Sequence, residues 1–321
     1  MIEPRRQFLR LAASAVLMPG TVSFADTYPS HPVRLVVGFP PGLTPDIVGR
    51  IVAQGLSAKI GQQCFVDNRP GAASNIGAEF ALRSPADGYT LFVVTIANAI
   101  NATLYPGLNF DLVRDMDPVI ATFQAPNVLV VTPSFPAKTV PEFIEYAKTK
   151  PGQVNYASPG HGSAANVAAE LFKIMAQIDL VHVPYRGSYV PDVLAGEVPV
   201  TFAPIPTVIQ FIRAGKLRAL AVTSTNRSNT LPDIPTVSEF LPGYDATVWH
   251  GVGAPKNTPP NIIVMLNEAL NKLLAESAIK TRFADVGGIA LGGSPVDFGK
   301  FVSAETEKWA KVIGAANIKP E

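Results

Sequence analysis

The chain has 321 residues, 47% hydrophobic and 16% charged, and its 26 Lys and Arg nearly balance 25 Asp and Glu. That length suits about two domains, and the composition excludes a disordered or fibrous chain. The near-neutral balance argues against nucleic acid as a partner, the single Cys64 excludes a disulfide framework, and the four histidines lack metal-site spacing, so no metal is expected.

Residues 1–25 read as an export signal and stand outside the fold. Arg5 and Arg6 form a charged start, Leu11 to Met18 is a short apolar stretch, and Ser23-Phe24-Ala25 places small residues where a signal peptidase reads. The Arg pair also fits a twin-arginine signal, with Sec export as the alternative. Cleavage after Ala25 would release the mature chain into the periplasm, where no ATP or NAD pool exists to support a nucleotide cofactor.

From Val33 onward, short apolar strands alternate with helices. Strands are expected at Val33–Phe39, Gln63–Val66, Thr90–Val94, Val128–Thr132, Val154–Ser158, Leu180–Val183, Val198–Phe202 and Arg218–Thr223. Helices are expected at Ile47–Ile60, Asn75–Arg83, Pro141–Lys148, Ala164–Gln177, Pro191–Ala195 and Thr207–Ala214. Unalternating apolar strands separated by helices predict an α/β protein with mostly parallel sheets covered on both faces. Two closing helices, from Pro259 and from Pro295, suit a chain that returns to its first domain. The expected division is 26–125 as lobe 1, 126–251 as lobe 2, and 252–321 as the return to lobe 1.

Three strand-to-helix turns can carry chemistry. In Phe39-Pro40-Pro41-Gly42-Leu43-Thr44-Pro45-Asp46, Thr44 is a natural N-cap and Pro45 a natural first helical residue. That arrangement would leave the Asp46 and Ile47 amides free for an anion, although the Asp46 carboxylate would repel one. In Ser158-Pro159-Gly160-His161-Gly162-Ser163, two glycines let the backbone curl into a concave set of N–H groups, with Ser163 as N-cap. The run from Gly160 also fits a loose dinucleotide fingerprint, but the acidic residue it requires, Asp179, lies on the wrong side of the next strand. In the third turn, after Val183, Arg186 is placed to clamp a carboxylate. Trp249 and His250 lie where the chain should cross back between lobes. No nucleophile elbow, zinc-protease motif or phosphate loop occurs, so an enzyme is not expected.

An ordered set of motifs then becomes recognisable. It comprises Pro40-Pro41-Gly42 with Asp46 and Arg50, Asp67-Asn68-Arg69-Pro70-Gly71-Ala72, and Ser84-Pro85-Ala86-Asp87-Gly88-Tyr89-Thr90. Further on come Tyr156-Ala157-Ser158, Gly160 and Gly162, His182-Val183-Pro184-Tyr185-Arg186-Gly187, Gly215-Lys216-Leu217-Arg218, and Trp249 with Gly251. From about residue 29 onward the chain resembles the periplasmic substrate-binding proteins of tripartite tricarboxylate transporters, the Bug family. The resemblance implies a two-lobed periplasmic-binding-protein (Venus-flytrap) fold that closes on a small carboxylate-bearing solute. It implies delivery of the solute to the membrane permease subunits of such a transporter; no cofactor is expected, and a monomer only by default. A receptor reporting to a sensor kinase, or an exported enzyme, would be the alternatives.

It further implies that the ligand is held by Phe39, Pro41, Gly42, Leu43, Thr44 and Asp46 from one turn, and by Ser158, Gly160, His161, Gly162 and Ser163 from the other. Smaller contributions are expected from Thr95, Ala97 and Asn98, from Phe202 and Ala203, and from Trp249 and His250. Leu43, Ala203-Pro204 and Asn166 stand where the family usually has Gly, Asp and His. These departures suggest a ligand less polar than citrate, such as an aliphatic or aromatic carboxylate.

Overall fold

The computed structural model describes residues 28–185 and 188–320. The expected export signal with its cleavage site, and Arg186, therefore lie outside the described residues. Strand β1 (Val33–Val37) sends Val33, Leu35 and Val37 into one apolar cluster and Val36 into another, which is why the run is apolar throughout. Helix α1 (Thr44–Ile60), β2 (Cys64–Asn68), α2 (Asn75–Leu82), β3 (Thr90–Thr95), α3 (Ile96–Leu104) and β4 (Met116–Ala125) follow. After Pro126 the chain enters a second sheet through β5 (Asn127–Val131), α4 (Val140–Thr149), β6 (Val154–Ser158) and α5 (Ala164–Ala176). It continues with β7 (Leu180–Pro184), α6 (Val190–Ala195), β8 (Val200–Pro204), α7 (Ile205–Arg213) and β9 (Arg218–Val222). The return consists of β10 (Val248–Pro255), α8 (Pro260–Leu274), α9 (Ser277–Asp285), β11 (Ile289–Ala290) and α10 (Pro295–Ala316).

The first sheet has six strands in the order β11-β4-β10-β3-β1-β2, and the second has five in the order β7-β6-β8-β5-β9. Most strands in each run one way, with β10 and β11 reversed in the first sheet and β5 reversed in the second. One apolar cluster is continuous between the sheets. It joins Phe92, Ile100, Trp249 and Trp309 to Tyr156, Phe172 and Phe202. Helix α10 is central to it, because the indoles of Trp249 and Trp309 both donate to the buried Glu305 carboxylate, at 2.8 and 3.0 Å.

The two crossings between sheets are tied at Thr223. Its hydroxyl accepts the Asn127 amide at 2.8 Å and donates to Ala246 O at 3.0 Å, while its own amide donates to Asn127 O at 2.9 Å. The chain then joins the first sheet at Val248, so Trp249 and His250 sit on β10 between β3 and β4.

Four elements, α3, β4, α9 and β10, were not expected from the sequence. Gly251 and Gly253 make β10 read as a turn, yet a Cβ on Gly251 would run into the Phe298 ring of α10 and into Ile120 O, 2.7 Å away. Gly251 is there because a helix lies close over a central strand, and Gly253 because the Met116 side chain of β4 lies against it. Pro118 masks β4 in the same way, since it sits opposite Gly253 at a register shift, where a ladder donor is dispensable.

Candidate functional site

The first turn follows β1. Its helix starts at Thr44, before the expected Ile47, and the N-cap is Leu43, one residue earlier than expected, with no side chain capping it. The Asp46 and Ile47 amides, expected to be free, both donate to Leu43 O, at 2.9 and 3.0 Å. Thr44 is the first helical residue instead of the cap, and the side chain that ties the turn is that of Asp46. Its buried carboxylate reaches back to the Gly42 amide at 2.9 Å, where Gly42 has a φ of 87° that favours glycine. The same carboxylate accepts from Arg50 Nε at 3.0 Å and from Asn68 Nδ2 at 2.9 Å, and Asn68 also donates to Phe39 O at 3.0 Å. Burial pushes the Asp46 pKa upward, but Arg50, the Gly42 amide and Asn68 outweigh it and hold the carboxyl below its ordinary value. Among the described residues, the Thr44 amide is left without a partner. Leu43 beside it is half exposed at 50%.

The second turn follows β6 and repeats this construction. The Gly162 amide, at φ 70°, donates to Asn166 Oδ1 at 2.9 Å. Asn166 in turn donates to Tyr156 Oη at 2.7 Å, and Tyr156 donates to Glu170 Oε1 at 2.6 Å. Lys173 completes the chain, 3.0 Å from Glu170. Ser163 caps α5 as expected, accepting the Asn166 amide at 3.2 Å. The concave set of N–H groups is smaller than the sequence suggested, because Gly160 N donates to Ser158 Oγ and Ser163 N to Gly160 O. The His161, Ala164 and Ala165 amides have no partner among the described residues. This turn touches the other lobe: a Cβ on Gly162 would run into Leu104 of α3.

A third feature escaped the sequence reading. Ala72, Ala73 and Ser74 all adopt positive φ, at 45°, 51° and 81°. For residues other than glycine this costs roughly 1–2 kcal/mol each, so the surroundings must hold it. Asn101 Nδ2 donates to Ala73 O at 2.7 Å, and Asn98 Nδ2 donates to Ser74 Oγ at 3.2 Å. Ser74 packs on Gly38 at the end of β1, where no Cβ fits. Asn98 is also locked with Thr95 in a capping box that starts α3, a Thr-x-x-Asn signal that was legible in the sequence.

The remaining expected residues divide by exposure. Pro41, Gly42, Leu43 and His161 are exposed, and Phe39, Thr44, Ala97, Gly162 and Ser163 are half-buried. Thr95, Asn98, Ser158, Gly160, Phe202, Ala203, Trp249 and His250 are buried. Phe202 packs on Phe172, with ring centroids 5.6 Å apart, and Trp249 packs on Phe301, 5.1 Å away, so these rings serve the core. His250 faces the opposite side, 5.3 Å from the Phe123 ring. Neither of its ring nitrogens has a partner among the described residues, and burial lowers its pKa to about 4. Two cavities lie near these elements. One of about 510 Å³ opens between His161, Asn166, Lys173, His182 and the chain end after α10. The other, about 220 Å³, lies by the crossings, between Gln124, Thr247 and Gly288. Among the described residues no group of three potential ligating side chains is placed to hold a metal ion.

Residues 48–318 match the model of the tripartite tricarboxylate transporter family receptor. The protein BugT of Bordetella pertussis is 36% identical over 300 residues, covering 92% of each chain. Among solved structures, Rpa4515 of R. palustris with adipate is 36% identical with a TM-score of 0.78, over 92% of this chain and 100% of that one. MatC of Rhodopseudomonas palustris with bound malate is 28% identical with a TM-score of 0.74, over 89% of this chain and 100% of that one.

Proposed function

The chain belongs to the tripartite tricarboxylate transporter receptor family, and on that premise we propose that it is a periplasmic receptor for a small aliphatic or aromatic carboxylate less polar than citrate, which it delivers to membrane permease subunits. A solute-binding receptor, not an enzyme, is what that family membership establishes. The carboxylate is seated on the second turn, at the start of α5, and the less polar part of the ligand lies toward the first turn.

The observation that carries this reading is the pair of amides at Ala164 and Ala165, without partners among the described residues, at the positive end of a 13-residue helix. Each charge-assisted hydrogen bond to a carboxylate contributes about 1.5–3 kcal/mol, so a few of them, with apolar burial, reach micromolar affinity after ordering costs. The first turn is a poorer anion seat. Its carboxylate is already present as Asp46, and the amides of Asp46 and Ile47 are committed to Leu43 O. The exposed Leu43 favours an alkyl chain there. The adipate and malate held by two related receptors are acids of this class.

The test is a thermal-shift panel on the mature chain with adipate, longer diacids, benzoate, malate and citrate. A ligand at a hundred times its dissociation constant adds about 2.7 kcal/mol, enough to raise the melting temperature by several degrees. Adipate or a longer or aromatic acid should give the largest shift and be recovered unchanged. Tight citrate binding with no response to the less polar acids would contradict the reading.

A further inference from the structure

Ser158 ends β6 with a buried hydroxyl at the centre of the second turn. Its Oγ lies 3.1 Å from both Gly160 N and Gly160 O, and 2.6 Å from His182 Nε2 on the neighbouring strand β7. The Gly160 N–H can only donate to that oxygen. A hydroxyl carries a single proton, so Ser158 donates either to His182 or to Gly160 O, and the imidazole decides which. His182 Nδ1 is buried without a hydrogen-bond partner among the described residues. A proton placed on it would be a buried unpaired donor, and Nε2 would then take the Ser158 proton away from Gly160 O. Placed on Nε2, the proton is used.

We propose that His182 is a positioning residue for ligand binding: as the Nε2–H tautomer it donates to Ser158, and so directs the Ser158 hydroxyl onto the Gly160 carbonyl. Gly160 O then accepts from Ser158, from Ser163 Oγ at 2.8 Å and from the Ser163 amide at 3.3 Å. The end of β6 is thereby tied to the cap of α5, and the Ala164 and Ala165 amides are held in one orientation before ligand arrives. The ring is fixed in its turn, stacked on Tyr156 at 4.9 Å and edge-on to His161 at 4.7 Å. Burial, with His161 and Lys173 adding to it, lowers the His182 pKa to about 4 and keeps the ring neutral.

The inference rests on the reading that the second turn seats the carboxylate, and the experiment separates the two. Nitrogen-15 NMR of the mature chain reads the His182 tautomer and the Gly160 and Ser163 amides without ligand. Adipate titration then compares the wild type with His182→Phe, His182→Gln and His182→Asn. The expected tautomer is Nε2–H, and His182→Phe, which keeps a ring but has no donor, should move the Gly160 resonance and weaken adipate about tenfold or more. His182→Gln places an amide nitrogen near the Nε2 position and should recover most of the affinity, whereas His182→Asn, which mimics Nδ1, should not. An Nδ1–H tautomer, an unmoved Gly160 amide in His182→Phe, or a Gln variant no better than Asn would overturn the proposal. A wild type that ignores adipate while Gly160 still responds to His182→Phe supports the clasp and counts against the carboxylate seat.

Discussion

In the first turn a carboxylate, Asp46, accepts the amide of Gly42; in the second a carboxamide, Asn166, accepts that of Gly162, at the same 2.9 Å and the same four-residue spacing. The charged version needs Arg50 and Asn68 around it and leaves a negative group under the turn. The neutral version passes its remaining donor inward to Tyr156 and Glu170, and brings no charge to the helix start. Two turns of like geometry therefore offer an anion different receptions. On the proposed reading, that difference puts the ligand's carboxylate on α5 and its apolar part near α1.

Substitutions can break this comparison, and the largest effect is expected at Asp46. Asp46→Ala removes the shared acceptor of Gly42, Asn68 and Arg50 and should cost about 2–4 kcal/mol in urea unfolding, because a buried carboxylate holding three hydrogen bonds is lost. Asp46→Asn keeps an acceptor for Gly42 and should cost less. Gly162→Ala comes next. It combines a left-handed φ with a collision against Leu104, and should lose about 2–3 kcal/mol and weaken binding. At Gly42 a Cβ meets nothing within 4 Å, so Gly42→Val should cost about 1–2 kcal/mol of backbone strain. It should leave the fold intact yet weaken carboxylate binding about tenfold or more, by narrowing the approach to the first turn.

A separate effect is expected on pH dependence. His182 and His250 titrate near 4 in the fold, against an ordinary 6.5. Between those values the unfolded chain binds more protons than the folded one, so stability should rise as pH rises from about 4 to 6.5. Asp46 acts at lower pH, where its depressed pKa makes stability fall as acid reaches its carboxylate. Urea midpoints across that range, for the wild type and for His250→Phe, would show a flatter slope in the variant.

Much of this was legible in the residues. Apolar runs such as Val33–Val37 and Val154–Ser158 fixed strands, and Ser163 and Ser294 marked helix starts, because these signals are local. Strands β4 and β10 were not legible. Gly251 is tolerated because the helix α10 lies over it, Gly253 because Met116 of β4 lies against it, and Pro118 because it sits at the register shift opposite Gly253. The amides of the first turn were misjudged for a related reason: Thr44 looked like the cap, but the helix starts at Thr44, and Asp46 accepts the Gly42 amide instead, with Asn68 brought beside it from another strand. Likewise, His182 stood in a recognised motif, and only the pairing of β6 with β7 sets it against Ser158.

The measurement that bears most directly on this account is an amide NMR titration of the mature chain with adipate. The account predicts saturable shifts at Ala164 and Ala165, larger than those at Asp46 and Ile47, whose N–H groups are already bonded. Saturable shifts confined to the first turn, or to the cavity by Gln124 and Thr247, with Ala164 and Ala165 unmoved, would contradict it.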